Sequence, residues 1–410
     1  MVSALTRLFG VHNISLAEDV VQDAFCRAVE VWKLRGVPEN PSAWLMATAK
    51  NRALDILRRE RTARKFAPDL GRLLESEWTL APTVAEIFQP HVIKDDQLRM
   101  MFSCCQPRLA EAVQVTLILK LLCGFSVGEI AAAFLSSTDA IEKRITRGKK
   151  ALAGARRLFD LTDADFQPRL AAVHRALYLL FNEGYHGASS ESAVRIELCG
   201  EAMRLGALLR DHPSTATPVT FALSALMCLH SARLKSRIDD DGKLSALPDQ
   251  DRSQWDRRLI AEGERLLDLS ATGTEVTEYH IEAGIAVMHA RARTVEETDW
   301  EMIVSLYDRL QSLRPSPVVS LNRAIAVGQL DGPERGLAEI QAIAHGGRLD
   351  SYPFYHAALG ELSLQVGRPA EAAAHFGQAL DCARNAMERA FFQKRIEACA
   401  SVIIHVDVGL

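Results

Sequence analysis

The chain is predicted to fold as an all-α protein, and two observations carry that expectation. Apolar residues make up 48% of its 410 positions and aromatics only 6%; alanine, leucine and arginine dominate, and β-branched runs are scarce. Alanine and straight-chain residues lose little rotamer freedom in a helix, so this composition favours helices with enough apolar surface to bury a core. Apolar residues also recur at helical spacing through most of the chain. The length suits two or three domains.

The first expected part is residues 1–66. Its segment Ala17-Glu-Asp-Val-Val-Gln-Asp-Ala-Phe-Cys-Arg-Ala-Val-Glu-Val-Trp32 places Val21, Phe25, Ala28 and Trp32 at helical spacing on one face. Asp19, Gln22, Asp23 and Glu30 fall largely elsewhere and make a polar surface. Gly36, Pro38 and Pro41 force a loop, and Ser42 is the expected N-cap of a helix that begins near Ala43-Trp44-Leu45. Residues 67–94, with Pro68, Pro82 and Pro90, read as a linker with short helical pieces.

Residues 95–160 hold the most specific local pattern, a helix-turn-helix. Val113 to Leu122 is an apolar helix, Gly124 ends it, and Ser126 can cap the short helix Val127-Gly-Glu-Ile-Ala-Ala-Ala-Phe134. Leu135-Ser-Ser137 makes the turn, and Thr138 or Asp139 opens the third helix. There Ile141, Ile145, Gly148 and Leu152 form an inward stripe, Arg144 flanks it, and Glu142, Lys143, Thr146, Arg147 and Lys150 face away. A recognition helix needs an apolar back and a front of donors for guanine edges and phosphates.

Residues 161–410 read as helical almost throughout, broken by loops near 186–190, 212–218, 239–249, 270–274 and 345–352; Asp239-Asp-Asp-Gly242 is the clearest turn. Gly332-Pro333-Glu334 and Gly367-Arg368-Pro369 each sit between two helical patterns, their prolines 36 residues apart. That is near the period of about 34 for tetratricopeptide-type helix pairs. Ala357, Gly360, Ala372, Phe376 and Ala379 supply the small/large alternation that lets paired helices pack closely.

Charge points to a partner. Residues 50–65 and 138–157 each carry seven basic and two acidic side chains, net +5, in a chain that is −4 overall. Two basic segments in an otherwise acidic chain call for a polyanion, and their separation suits two contacts on one long nucleic acid. Beside the first segment stand Trp44, Asn51, Arg52, Arg58, Arg59 and Arg61. An aromatic next to a basic groove suits unstacked single-stranded bases better than closed duplex. A surface helix with an ordinary buried tryptophan is the plain alternative.

Other chemistry is poorly supported. The eight cysteines, Cys104-Cys105 among them, form no C-x-x-C pair and read as reduced, mostly buried thiols. Asn182, Glu183, Tyr185 and His186, or Asp251, Arg252, Trp255, Asp256 and His280, could pass for sites. They lack metal spacing, a nucleophile–base set or a phosphate loop, and read first as helix caps and inter-helix hydrogen bonds. No enzyme activity, metal or cofactor is expected. With neither a leader nor an apolar run of about 18 residues, a cytoplasmic chain is expected, with no membrane partner.

The residues also resemble a known family. Ala17-Glu-Asp-Val-Val-Gln-Asp-Ala-Phe25, Trp44-Leu45, Asn51 and Asp55-Ile-Leu-Arg58 are similar to region 2 of the extracytoplasmic-function (ECF) sigma factors of bacterial RNA polymerase. Phe125-Ser-Val-Gly-Glu-Ile-Ala131 with Ile141-Glu-Lys-Arg-Ile-Thr-Arg147 resembles their region 4. Phe181-Asn-Glu-Gly-Tyr185, Gln250-Asp-Arg-Ser-Gln-Trp-Asp256, Thr298-Asp-Trp300 and Pro315-Ser-Pro-Val-Val-Ser-Leu-Asn-Arg-Ala324 resemble a subgroup with a long, helical, tetratricopeptide-like extension.

The resemblance implies a region 2 bundle, a region 4 helix-turn-helix and that extension. It implies binding to core RNA polymerase (β and β′) through Asp19, Gln22, Asp23 and Phe25. The loop from Lys33 to Asn40, with Trp44, Asn51 and Arg52, would hold melted bases of the −10 element, beside the basic Arg58 and Arg59. Lys143, Arg144, Thr146 and Arg147, with Glu142 alongside, would read the −35 element of promoter DNA. The extension would take a protein or small-molecule partner. Two departures stand out. Met1 falls partway into what resembles the first region 2 helix, and Gly148 stands where the family favours alanine, predicting a recognition helix weaker by roughly 0.5–1 kcal/mol. The rival reading is a one-component helix-turn-helix regulator with a ligand-sensing helical domain, which does not need the first basic segment or the acidic helix. An enzyme housed in the extension is a third class, for which no catalytic set is visible.

Overall fold

The computed structural model describes residues 1–9, 13–63, 96–134, 136–153, 161, 163–187, 192–239, 244–343 and 349–408. They form an all-helical fold, as the composition predicts. Among the described residues the one β-type pairing is an isolated bridge between Ile238 and Leu244. The expected linker 67–94 and the tail of the second basic segment, with Arg156, lie outside the described residues. Two compact units result. The first comprises Met1–Ala131, Ser136–Ala176 and His212–Thr215; the second comprises Ala132–Leu135, Leu177–Asp211 and Ala216–Leu410.

In the first unit, α1 (Val2–Phe9), α2 (Ile14–Arg35) and α3 (Pro41–Ala63) pack together. Their contact is made largely of small side chains. Ala17, Val20, Val21, Ala24 and Ala28 of α2 meet Leu45, Ala49 and Ala53 of α3, and Leu5 and Phe9 of α1 close the cluster. Phe25, expected on this inward face, is instead 50% exposed. At 100° per residue it lies about 100° from Ala24 and about 60° from Ala28, at the margin of the buried stripe, and short side chains suffice where α2 and α3 approach closely.

Next come α4 (Asp96–Cys104), α5 (Glu111–Leu121), α6 (Val127–Ala133) and α7 (Thr138–Ala153). Helix α5 is apolar nearly all round and almost wholly buried, from Val113 to Leu121. Its polar side chains are satisfied internally: Thr116 Oγ1 donates to Ala112 O (2.6 Å), and Gln114 Nε2 to Gln106 O and Leu109 O. Cys104 and Cys105 are free and fully buried, and burial pushes the Cys104 thiol up to about 12.

Helix α8 (Asp163–His186) carries the boundary between the units at Ala176/Leu177. The second unit continues with α9 (Ile196–Asp211), α10 (Pro218–Ser231), α11 (Arg257–Ser270), α12 (Glu278–Arg291) and α13 (Trp300–Leu313). Then follow α14 (Pro317–Asp331), α15 (Pro333–Gln341), α16 (Pro353–Gln365), α17 (Pro369–Asp381) and α18 (Ala386–Val408). From α9 onward each helix packs on its neighbour in sequence. The two Gly/Pro segments fall where expected, between α14 and α15 and between α16 and α17. Ala357, Ala372, Phe376 and Ala379 are buried, with the Phe376 ring over Gly360.

Gly148 of α7 answers the expectation of a weakened helix differently. A Cβ there would lie 2.6–2.7 Å from three side-chain carbons of Leu117, a fully buried residue of α5. Glycine is what lets the two helices approach. Gly148→Ala should therefore lower the unfolding free energy by about 1–2 kcal/mol, overpacking outweighing the gain in helix propensity. Urea unfolding of the full-length chain checks this, and a stabilised variant would contradict it. Buried His174 gives a pH dependence. Desolvation lowers its pKa from 6.5 to about 3. The unfolded chain takes up this proton as pH falls through about 6.5, the folded chain only near 3, so stability is lost across that window. His174→Leu should flatten the slope by up to about 1.4 kcal/mol per pH unit, and identical slopes would place the buried proton site elsewhere.

Candidate nucleic-acid interface

Two surfaces of the first unit hold the expected site residues. At the first, the Gly36 N–H bonds Trp32 O and ends α2. The cap of α3 is Asn40, whose Oδ1 accepts from the Ala43 amide at 3.0 Å, with Pro41 as the first helical residue. Ser42, expected as the cap, lies one residue inside the helix, because proline's fixed φ and missing N–H suit the first position. Trp44 is partly buried, edge-to-face on Trp32 with centroids 5.5 Å apart, and packs against the α1–α3 core. One side of Trp44 belongs to the core and another lines a groove.

That groove, about 760 Å3, runs between α2 and α3 past Trp44, Thr48, Asn51 and Arg52. Asn51 and Arg52 are exposed. The groove is not basic on balance, since Asp23, Glu30 and Asp55 face it with Arg27 and Arg52. Arg52 Nε bonds Asp23 Oδ2 at 3.1 Å, both side chains about half exposed. The side chains of Arg58 and Arg59 lie outside the described residues.

Asp19, Gln22 and Phe25 are exposed on one face of α2, and Val29 extends it at 73% exposure. Asp23, also exposed, pairs with Arg52, so the four residues grouped by sequence divide between this exposed face and the groove lining. The loop that follows exposes apolar Val37.

The second surface is formed by α5 to α7, the segment expected to be a helix-turn-helix. Gly124 adopts φ +74, beyond the end of α5, and the Phe125 amide reaches back to Leu119 O at 3.1 Å. Ser126 and Glu129 form a reciprocal cap: the Ser126 amide bonds Glu129 Oε2 (2.7 Å), and the Glu129 amide bonds Ser126 Oγ (3.1 Å). The third helix opens at Thr138, with Ser137 Oγ accepting from the Ala140 amide at 3.3 Å. Ile141, Ile145, Gly148 and Leu152 are buried. Glu142, Lys143, Thr146, Arg147 and Lys150 are exposed, and Arg144 is intermediate. This arrangement presents donors on one side of a helix backed by an apolar seam.

Sequence reasoning missed Lys149. It is partly buried and bonds Glu18 of α2 at 2.6 Å. These residues lie 131 positions apart, so no local pattern links them. The polar clusters of the second unit behave largely as caps. Asp256 caps α11 through the Arg258 and Leu259 amides, Asp251 caps a short turn at Ser253, and His280 closes a capping box with Thr277. Arg252 donates to His289 O, Ala292 O and Thr298 Oγ1, and Glu183 pairs with Arg195 at 2.8 Å. No group that could hold a metal ion, and no helix long and apolar enough to cross a membrane, occurs among the described residues.

Residues 1–63 match the sigma-70 region 2 family, and residues 169–271 match a family of unknown function, DUF6596. The uncharacterized protein R00370 of Rhizobium meliloti (strain 1021) is 40% identical over 400 residues, covering 97% of this chain and 93% of that protein. No solved structure matches the chain.

Two ion pairs of this unit, Lys149–Glu18 and Arg52–Asp23, should differ in strength. A double-mutant cycle on Glu18→Gln and Lys149→Met should return about 1–2 kcal/mol of coupling in urea unfolding. The exposed Asp23–Arg52 pair, by Asp23→Asn and Arg52→Gln, should return about 0.2–1 kcal/mol. Equal couplings would mean that burial does not strengthen the Lys149–Glu18 contact.

Proposed function

We propose that this chain is a sigma-70-family protein, an alternative sigma factor of the extracytoplasmic-function type with a tetratricopeptide-like regulatory extension. The observation that carries the reading is the region 2 match over residues 1–63, the segment that forms α1–α3. The sigma-70 family acts in transcription initiation without bond chemistry of its own, so the assigned residues bind and orient.

The proposed division of labour follows the chain. The Asp19, Gln22 and Phe25 face of α2 docks core RNA polymerase. Exposed apolar Phe25 supplies a hydrophobic anchor, Asp19 and Gln22 supply polar specificity, and Asp23 acts from the margin through Arg52. Trp44, Asn51 and Arg52 hold unstacked −10 bases, with Arg58 and Arg59 on the phosphates. Glu142, Lys143, Arg144, Thr146 and Arg147 enter the major groove of the −35 element, and the exposed front of α7 supports this. Residues 1–66 and 95–160 are thus proposed as regions 2 and 4, joined by 67–94, with 161–410 as the extension. The successive helix pairs α14/α15 and α16/α17 support its tetratricopeptide-like character.

Transcription in vitro with purified core polymerase, this chain and a promoter library tests the reading. Discrete, chain-dependent start sites are expected, and their absence on every template rejects the sigma-factor assignment. Asp19→Lys with Phe25→Asp should abolish co-purification with core. Arg147→Ala should cost about 1–3 kcal/mol at one or two −35 positions; an unchanged specificity profile would remove α7 as the reader. Trp44→Ala or Asn51→Ala should impair opening yet transcribe from a premelted −10 bubble. Failure on that bubble with normal duplex opening would contradict the assigned role.

A further inference from the structure

The second unit encloses a cavity of about 520 Å3 among α8, α10, α12, α13 and α14. Ligand pockets occupy about 300–1,000 Å3 and combine an apolar or aromatic wall with a few polar groups. Here Tyr178 and Tyr185 come from α8, His230 from α10, His289 from α12, and Trp300 and Tyr307 from α13. The rings contact one another: His230 lies 4.9 Å from Tyr185, and His289 sits edge-to-face 5.4 Å from Trp300. Asn322, exposed on α14, marks the rim.

One cation faces this wall. Arg233, just beyond α10, holds its guanidinium carbon 5.4 Å from the Tyr185 ring centroid, where the Tyr185 hydroxyl is its polar neighbour and no ion pair to a carboxylate is formed among the described residues. Glu282 also lines the cavity, but its Oε1 accepts from the Tyr178 hydroxyl at 3.2 Å. The neighbouring cations add to the positive field. Arg237 lies 4.1 Å from the Tyr185 centroid and bonds His186 Nδ1, while Arg252 donates to carbonyls and a hydroxyl. Burial and these guanidinium groups hold His230 and His289 below the ordinary imidazole range, so both rings are neutral at pH 7. His289 Nδ1 is buried without a hydrogen-bond partner.

A half-buried guanidinium without a counter-ion is costly unless an anion visits it, and its planar fork matches a carboxylate. The aromatic wall suits a flat ring, which gains offset or edge contacts with Tyr185, His230 and Trp300. An inorganic anion would leave the wall unused, and a neutral hydrocarbon would leave Arg233 unpaired. We propose that this cavity binds a small aromatic carboxylate, its carboxylate on Arg233 and its ring among Tyr185, His230 and Trp300. The site stands apart from the sigma-factor reading, and its test needs neither polymerase nor DNA.

Isothermal titration of the full-length chain uses 2-naphthoate, 2-naphthamide and inorganic phosphate as probes. One naphthoate per chain is expected. Naphthamide, a shape match without the charge, should bind about tenfold or more weaker, and phosphate should give no saturable heat. Arg233→Met should weaken naphthoate by roughly 10–100-fold. Ala286→Phe, which fills the cavity and leaves Arg233 intact, should abolish binding; circular dichroism checks that each variant is folded. The proposal is overturned if naphthoate does not bind saturably, if naphthamide binds equally well, or if phosphate alone binds as tightly. Folded variants that bind like the parent would also overturn it. Should either variant fail to fold, the naphthoate–naphthamide comparison on the parent chain still decides.

Discussion

Close approach between helices is the constraint on which this molecule depends. A helix that buries alanine or glycine at a crossing lets its neighbour's backbone or a large side chain come near, and dispersion contacts accumulate over the shared area. Ala24 and Ala28 against Ala49 and Ala53 set the α2–α3 pair. Leu117 fills the space that Gly148 leaves between α5 and α7, and Gly360 receives Phe376 between α16 and α17. The aromatic fraction can be low because few crossings need a large side chain on both sides.

That packing fixes the polar geometry. With α2 pressed on α3 by its alanine ridge, Asp19, Gln22 and Phe25 must point outward, and Asp23 must lie beside Arg52. With α7 pressed on α5, Lys143, Thr146 and Arg147 form an uninterrupted front, while Lys149 is carried round to Glu18. The same seam that stabilises each pair therefore sorts the charged residues into exposed faces, groove linings and internal ion pairs. Exposed pairs add little to stability, so their arrangement matters more for partner selection.

The second unit uses polar residues differently. Asp251, Asp256 and Thr277 satisfy amides at helix starts, and Arg252 satisfies carbonyls where α12 ends. Around the cavity, aromatic rings stand beside Arg233, and His289 Nδ1 is buried without a hydrogen-bond partner.

Much of this was legible in the sequence because it is local. Helical periodicity announced the all-α class, Gly124 announced the end of α5 and Ser126 the cap of α6, and the Gly/Pro segments announced breaks between helices. The buried stripe Ile141, Ile145, Gly148 and Leu152 follows from a 3.6-residue period alone. Where local rules compete, tertiary structure decided. Asn40 displaced Ser42 as cap because Pro41 takes the first helical position, and Phe25 turned outward because the α2–α3 crossing is narrow. Gly148 became an asset only through Leu117, about thirty positions earlier in the chain. The Lys149–Glu18 pair and the Arg233 cavity join residues far apart in sequence, and periodicity, which reports one helix at a time, carries no information about which helices meet.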